Sequence, residues 1–233
     1  MVETSGDEQM TIEAKEALAS ARATDFKKKV NAASWSPQME VLMKTWGEKS
    51  AGLRYMHGAA AGYWKGVSNK LSLTGIGVST VAAVVSLVAA SIEDVNSKNI
   101  ALFVVGGVSI GSSVVQSLKK FYNADEKSAE HGAIAKQFGS FYRYMTLQMG
   151  MTREDRLPAD QLSEWALKEY ERLQQDSLPL GGSQIKKFKE TFKNSSQAVP
   201  DVCEDTFEIN VYNSNSPTNT QTVHEIEVEL KDK

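Results

Sequence analysis

Apolar and polar residues are distributed very unevenly along the 233-residue chain. Residues 71–92 contain no charged side chain, and neither do residues 100–118, whereas the sequence on either side is rich in Lys, Arg, Asp and Glu. At 1.5 Å per residue, helices over these segments measure about 33 and 28 Å, which matches the hydrocarbon core of a bilayer. The pattern predicts an all-α membrane protein with two membrane-spanning helices.

The two apolar segments are joined by the polar sequence EDVNSKN, residues 93–99. So short a connection can only return the chain beside itself, which predicts an antiparallel helical hairpin. Ser, Thr and Gly recur in both segments, and small residues let helices approach closely in lipid. A soluble hairpin is the alternative, but it needs partners that cover every face of both helices. The glycines expected at helix contacts are Gly75, Gly77, Gly106, Gly107 and Gly111.

Lysines precede the first apolar segment and follow the second, whereas the turn carries one lysine and two acids. The positive-inside rule therefore predicts that both termini lie on the cytoplasmic side. The first ten residues, MVETSGDEQM, lack the basic flank and apolar core of a signal peptide. Aromatic residues accompany the lysines, as in an aromatic belt. The residues expected at the membrane interface are Tyr63, Trp64, Lys70, Lys119, Lys120, Phe121 and Tyr122.

The helices are predicted to continue beyond the apolar segments as long cytoplasmic arms. Ser36 and Pro37 are typical of an N-cap and a first helical position. From residue 39 to residue 64, through Trp46, apolar and small residues recur at steps of three and four, the spacing of a coiled-coil seam. A similar spacing over residues 121–145 predicts that the second helix continues without a break, so each helix measures about 70 to 80 Å.

Two histidines occupy matching positions in these arms. His57 lies 14 residues before Leu71, and His131 lies 13 residues after Leu118. In an antiparallel pair both lie at nearly the same height, about 20 Å from the apolar segments. They are candidates for a metal site or a pH-sensitive pair. Because a metal site normally has three or four ligands, helix packing is the preferred interpretation, and we expect no metal or cofactor.

The pattern divides the chain into four regions. Residues 1–33 are predicted to form a polar arm without an anchor, and residues 34–156 the hairpin with its extensions. Residues 157–193 are predicted to form accessory amphipathic helices; the lysine-rich second one could lie on an anionic lipid surface or cap the bundle. Residues 194–233 form an acidic tail whose alternating segments predict a small β-hairpin-like element that could bind a protein partner.

Composition and missing motifs exclude several functions. With 26 basic and 29 acidic residues, the net charge of -3 argues against a nucleic-acid-binding protein. The single Cys203 excludes an internal disulfide. The sequence contains no phosphate-binding loop, no zinc-protease motif and no nucleophile elbow, so we expect no enzymatic activity.

Three stretches of the sequence resemble the SLATT family of two-transmembrane domains. They are VLMKTWGEKSAGLRYMH, KKFYNADEKSAEHGAIAKQFGSFYRYM and TREDR, and the versions in large DNA viruses of algae and amoebae are the most similar. The resemblance implies two membrane helices with long cytoplasmic extensions, homo-oligomers and no catalytic centre. Residues given an architectural role by this resemblance are Trp46, Glu48, Lys49, Arg54, His57, Glu130, His131 and Arg156.

Three functions follow as hypotheses. The first is a scaffolding membrane protein, in a virion or in an internal membrane of the host cell. The second is an oligomeric pore-forming effector of the kind that the resemblance implies for bacterial members. The third is a soluble helical adaptor. The expected partners are a lipid bilayer, further copies of the chain and, through the acidic tail, another protein, but no nucleic acid.

Overall fold

The computed structural model describes residues 4–204, with side chains from residue 14 onward. This part of the chain is helical and contains no β-strand. Most of the acidic tail, with both predicted strands, lies outside the described residues. The elements are α1 (Thr4–Ser34), α2 (Pro37–Ala90), α3 (Val95–Tyr122), α4 (Ala124–Gly150), α5 (Ala159–Gln175), α6 (Gly182–Thr191) and a 3-10 turn (Asp201–Cys203).

Helix α2 runs for 54 residues from the predicted start through the first apolar segment. The hydroxyl of Ser36 accepts a hydrogen bond from the backbone N–H of Met39 at 3.2 Å, and Pro37 is the first helical residue. After Ala90 the chain turns within four residues, because the carboxylate of Asp94 caps α3 by accepting from Ser97 N at 2.8 Å. The predicted turn at residues 93–99 is therefore too long, because residues 95–99 already belong to α3.

The second long helix is not continuous. Helix α3 ends at Tyr122 and α4 begins at Ala124, with Asn123 between them at φ 49° and ψ 39°. Asn tolerates this left-handed conformation better than most residues, because its short polar side chain forms local hydrogen bonds. The expectation of an unbroken second arm is wrong at this one residue.

Helix α2 runs antiparallel to α3 and α4 along the whole length of the hairpin. Three hydrogen bonds define the register: Ser50 Oγ to Phe138 O at 3.0 Å, Ser128 Oγ to Ala61 O at 2.9 Å, and Ser79 Oγ to Ser112 Oγ at 3.0 Å. Residue numbers rise along α2 as they fall along α4 and α3. The hydrophobic core lies between the arms, not between the apolar segments, and its fully buried side chains include Met43, Met56, Phe138, Met145, Leu162 and Leu173.

Helices α5 and α6 close this core. The buried face of α5 carries Leu162, Ala166 and Leu173, as its amphipathic pattern predicts. In α6, Phe188 is buried and Ile185 packs against the core. The apolar stripe of α6 therefore faces the bundle, and its lysines face solvent. This arrangement agrees with the hypothesis that α6 caps the bundle. It does not agree with the hypothesis that the apolar stripe of α6 lies on an anionic lipid surface.

Helix α1 is exposed over residues 14–30 and is tied down at its last turns. Lys28 forms an ion pair with Asp155 at 3.1 Å, and the side chain of Asn31 donates to the carbonyl of Arg156 at 3.0 Å. The expectation that nothing anchors this arm is therefore wrong at its C-terminal end.

The start of the tail also differs from the expectation. Pro200 and Cys203 are buried against α2, and Lys49 forms an ion pair with Asp201 at 2.5 Å. The backbone N–H of Ala198 donates to the carboxylate of Glu48 at 2.9 Å. Residues 194–203 therefore belong to the helical bundle and not to a separate tail.

Glu40 joins the start of α2 to the loop that follows α4. Its carboxylate accepts two hydrogen bonds from Arg153, at 3.0 and 2.7 Å, and one from Arg156 at 2.5 Å. The Arg156 guanidinium also donates to the carbonyl of Met151 in that loop and to that of Met149 at the end of α4, and it stacks 5.2 Å from the ring of Trp35. The hydrogen bond from Arg153 is the main cause that lowers the pKa of Glu40.

We expect Glu40→Gln to lower the free energy of unfolding at pH 7 by about 1.5 kcal/mol, because it leaves two guanidinium groups without their carboxylate. The depressed pKa means that this contribution is present above the unfolded pKa of Glu and is lost as pH falls through the folded one. Denaturation of both proteins from pH 7 to pH 3 checks this. Glu164→Gln, in an exposed pair with Lys168, is the control with little effect. A difference between wild type and Glu40→Gln that does not shrink as the pH falls contradicts the assignment.

Candidate membrane-spanning helix pair

The apolar segments of α2 and α3 are left uncovered by the described part of the chain. The most apolar 18-residue windows of the two long helices have mean hydropathies of 2.0 and 1.7, and 6% of each window is buried. Large apolar side chains point outward, such as Leu73 at 72% and Phe103 at 82% exposure. Both helices are long and apolar enough to cross a membrane.

Polar side chains at the contact between α2 and α3 satisfy one another. Ser79 and Ser112 share a hydrogen bond of 3.0 Å, and Gln116 donates to the Ser112 hydroxyl at 3.3 Å. Ser112 is buried. Since an unpaired polar group is costly in an apolar environment, this cluster lets the helices associate in lipid without a polar penalty.

Hydroxyls on the outer faces donate within their own helix. Thr80 donates to the carbonyl of Ile76 at 2.9 Å, and Ser113 donates to that of Ser109 at 3.0 Å. Ser117 repeats the pattern with the carbonyl of Ser113 at 2.8 Å. Such bonds to the carbonyl four residues earlier remove the need for water as an acceptor. The Ser and Thr content of the apolar segments is therefore compatible with a lipid environment.

Only one of the five glycines expected at helix contacts lies at the contact between α2 and α3. A Cβ atom on Gly75 would lie 3.7 Å from Val115 Cγ1. A Cβ on any of the other four would meet no atom within 4 Å, so their assignment to packing inside the pair is wrong. The reason is register, because Ser79, Ser112 and Val115 define the contact line and these glycines lie on other faces. They are Gly77, Gly106, Gly107 and Gly111.

The residues predicted at the membrane interface gather at one end of the apolar segments. The Lys127 ammonium lies 4.5 Å from the centre of the Trp64 ring, which joins α4 to α2. Asp125 accepts a hydrogen bond from Ser68 and lies 3.7 Å from Lys119. Exposed aromatic and basic side chains surround these contacts, and their position at a bilayer surface stays a prediction. They are Tyr63, Lys70, Lys120, Phe121 and Tyr122.

The two histidines meet inside the arms. The Nδ1 atoms of His57 and His131 are 2.9 Å apart, so one must donate its proton to the other. The side chains are 1% and 4% exposed, and the His57 ring stacks on Phe138 with 5.8 Å between centroids. Burial lowers the pKa of His57 to about 4, with a further contribution from His131. Burial also lowers the pKa of His131, whereas Glu130 acts in the opposite direction. Both rings are neutral at pH 7.

This pair lacks the features of a metal centre. Within the described residues, no group of three or more His, Cys, Asp or Glu side chains is placed to hold a metal ion. A tetrahedral zinc with nitrogens at 2.0–2.1 Å would separate those nitrogens by about 3.3 Å. The observed 2.9 Å is instead a direct hydrogen bond. The contacts of these histidines in the described chain are a hydrogen bond and a ring stack, and their packing role stays a prediction.

Other residues given an architectural role connect α2 to the rest of the bundle. Trp46 stacks on Tyr170 of α5 with ring centroids 6.4 Å apart. Glu48 and Lys49 hold residues 198–201, and Arg156 binds Glu40. The sequence analysis did not predict the contact between Ser79 and Ser112, although the antiparallel register of the hairpin could have identified it.

No protein-family model, curated protein or solved structure matches the chain, so the SLATT resemblance stays a prediction.

Proposed function

We propose that this protein is a non-enzymatic integral membrane protein that scaffolds other proteins at the bilayer. The observation that carries the proposal is the uncovered apolar surface of α2 and α3, of which 6% is buried in the most apolar windows. Exposing this much apolar surface to water is unfavourable, and lipid covers every face at once. A soluble adaptor needs a protein partner around both helices.

Satisfied polar groups and flanking charges support a transmembrane hairpin. Hydroxyls within the apolar segments bond to each other or to their own helices, as lipid requires. The arms and accessory helices adjoin only one end of the pair, where the lysines also lie. In a bilayer the positive-inside rule favours the cytoplasmic side for both arms.

The scaffolding role rests on what lies outside the membrane. Two long arms packed with α5 and α6 form a bundle with a large polar surface, held away from the lipid. The acidic tail, beyond the described residues, offers a segment for a protein partner. The resemblance to the SLATT versions of large DNA viruses supports a virion or an infected-cell membrane as the location.

Carbonate extraction and cysteine labelling test the topology. In a Cys203→Ser background, Asn96→Cys marks the turn between the apolar segments, and Ser183→Cys marks the exposed start of α6. We expect the chain to resist alkaline extraction. An impermeant maleimide added to sealed vesicles should label one of the two positions only, and both after permeabilisation. Release by carbonate, or equal labelling from one side, contradicts the proposal.

A pore is the second candidate, and the orientation of the glycines favours it. Gly77 on α2 and three glycines of α3 present small-residue surface with no neighbour inside the described chain. In lipid such surface suits contacts with other copies. Native mass spectrometry in nanodiscs and liposome leakage decide between the candidates. A closed ring that conducts supports the pore, whereas a monomer or dimer without leakage supports the anchor.

A further inference from the structure

A groove of about 610 Å³ lies where α6 passes α2 beside α4. Its walls include Arg54 and Tyr55 of α2, Tyr142 of α4, and Lys187 of α6, with Phe192 and Gln197 beyond that helix. We call it the cationic groove. Its volume falls in the range of about 300 to 1,000 Å³ that is typical of small-molecule sites.

Positive charge concentrates on one wall of this groove. Arg54 on α2 and Lys187 on α6 both line it. A Cβ atom on Gly139 would lie 3.2 Å from Arg54 Nε and 3.6 Å from Arg143 Nη1, so both arginine side chains lie beside that glycine. Like charges held near one another repel unless an anion lies between or beside them.

The lining of the groove, as the described part of the chain forms it, contains no carboxylate: none of its side chains belongs to Asp or Glu. The neighbouring Lys186 does have a partner, Glu190, at 3.9 Å. Arg54 and Lys187 therefore form a site that is complementary to an anion, on a chain whose net charge is -3.

Aromatic side chains complete the lining of the groove. The rings of Tyr55 and Phe192 meet edge to face with centroids 5.2 Å apart, and the Tyr55 hydroxyl is 3.3 Å from that of Thr191. Tyr142 extends the aromatic lining from α4. Rings held in this way offer faces and edges to a flat ligand ring, while the guanidinium groups offer paired donors to a phosphate.

The position of the groove selects a soluble ligand over a lipid. Arg54 lies 9 residues before Tyr63, the first residue expected at the membrane interface, which is about 14 Å along α2. The Debye length at physiological ionic strength is about 8 Å, so bilayer headgroups lie out of reach. We propose that the cationic groove binds a free phosphorylated small molecule with an aromatic ring, such as a mononucleotide.

Isothermal titration of the full chain in phosphatidylcholine nanodiscs tests this site. The probes are AMP, adenosine and ribose 5-phosphate. We expect AMP to bind. The other two probes should each bind at least tenfold more weakly, because adenosine lacks the phosphate and ribose 5-phosphate lacks the aromatic ring. Arg54→Gln and Lys187→Gln should each weaken AMP binding about tenfold, the loss expected for one charge-assisted contact. Lys186→Gln, on the same helix, should change it less than twofold.

Several results overturn the proposal. One is the absence of binding at about 1 mM AMP, a concentration at which even weak sites are occupied. Another is equal weakening by Arg54→Gln and Lys186→Gln, which indicates general charge attraction. A third is loss of AMP binding when phosphatidylinositol phosphate is added to the nanodiscs, which assigns the groove to a lipid headgroup. Both arginine and lysine variants replace exposed side chains, so unchanged circular dichroism confirms that their fold is intact.

Discussion

Replacing His57 by alanine is expected to lower the free energy of unfolding by about 3 kcal/mol without preventing membrane insertion. His57 is 1% exposed, stacks on Phe138 and shares a hydrogen bond with His131. Its removal leaves a cavity in the arms and a buried imidazole without its partner. Chemical denaturation in detergent measures the loss, and carbonate extraction measures insertion. The pair lies outside the apolar segments, so insertion should be unchanged.

The same pair makes stability depend on pH. The pKa of His57 falls from 6.5 to about 4 on folding, so the unfolded chain binds more protons between these values. Stability is complete above pH 6.5 and falls as pH drops toward 4, by about 3 kcal/mol for this group alone. Lys127 opposes protonation of His131 and Glu130 favours it, so they modify this profile.

Subtracting the profile of the His57→Ala, His131→Ala double variant isolates the contribution of the pair from that of the carboxylates. We expect the wild type to lose more stability than the double variant over this pH range. Parallel profiles contradict the assignment of a neutral pair. Tight, stoichiometric zinc binding that disappears in either single variant contradicts the packing role.

Gly52→Ala is expected to lower the free energy of unfolding by about 2 kcal/mol. A Cβ atom there would lie 2.5 Å from Pro200 Cγ and 3.1 Å from Phe188 Cζ, two side chains that are themselves buried. Overpacking of this kind costs about 1 to 3 kcal/mol. That cost outweighs the gain of about 1 kcal/mol that alanine brings to a helix.

Gly62→Ala is the matched control for this substitution. It lies in the same helix, and a Cβ atom there would meet nothing within 4 Å. We therefore expect it to raise the melting temperature, whereas Gly52→Ala lowers it. If both variants stabilise the protein, residues 198–203 are not packed on α2 as described.

The start, length and pairing of the helical arms could be predicted from the sequence, because they follow from the spacing of residues along the chain. The start of α2 at Ser36 and Pro37 is a local signal, and the periodic seam continues from it for several turns. The meeting of His57 and His131 needed only helix geometry and a short turn. The apolar faces of α5 and α6 were equally readable, since each is a single amphipathic pattern.

Other features depend on single dihedral angles or on distant residues. The break at Asn123 changes no hydrophobic pattern, because the predicted seam continues across it from Phe121 to Ala124 and Ser128 at steps of three and four. Which glycines face the partner helix depends on a rotation that composition does not encode. The cationic groove joins three separate parts of the chain, and the packing of Pro200 on Gly52 joins residues with no common pattern.

Helix α2 is unbroken from the apolar segment to Ser36, whereas its antiparallel neighbour is interrupted at Asn123. Helix α2 therefore moves as one rigid rod, whereas the neighbouring helices α3 and α4 can bend relative to each other at Asn123. Leu71 lies 34 residues after Pro37, so the part of α2 outside the apolar segment is about 50 Å long. A tilt of about 5° at the bilayer therefore moves its far end by about 4 Å. This movement exceeds the length of the hydrogen bonds, 2.5 to 3.0 Å, by which Glu40 holds the loop after α4.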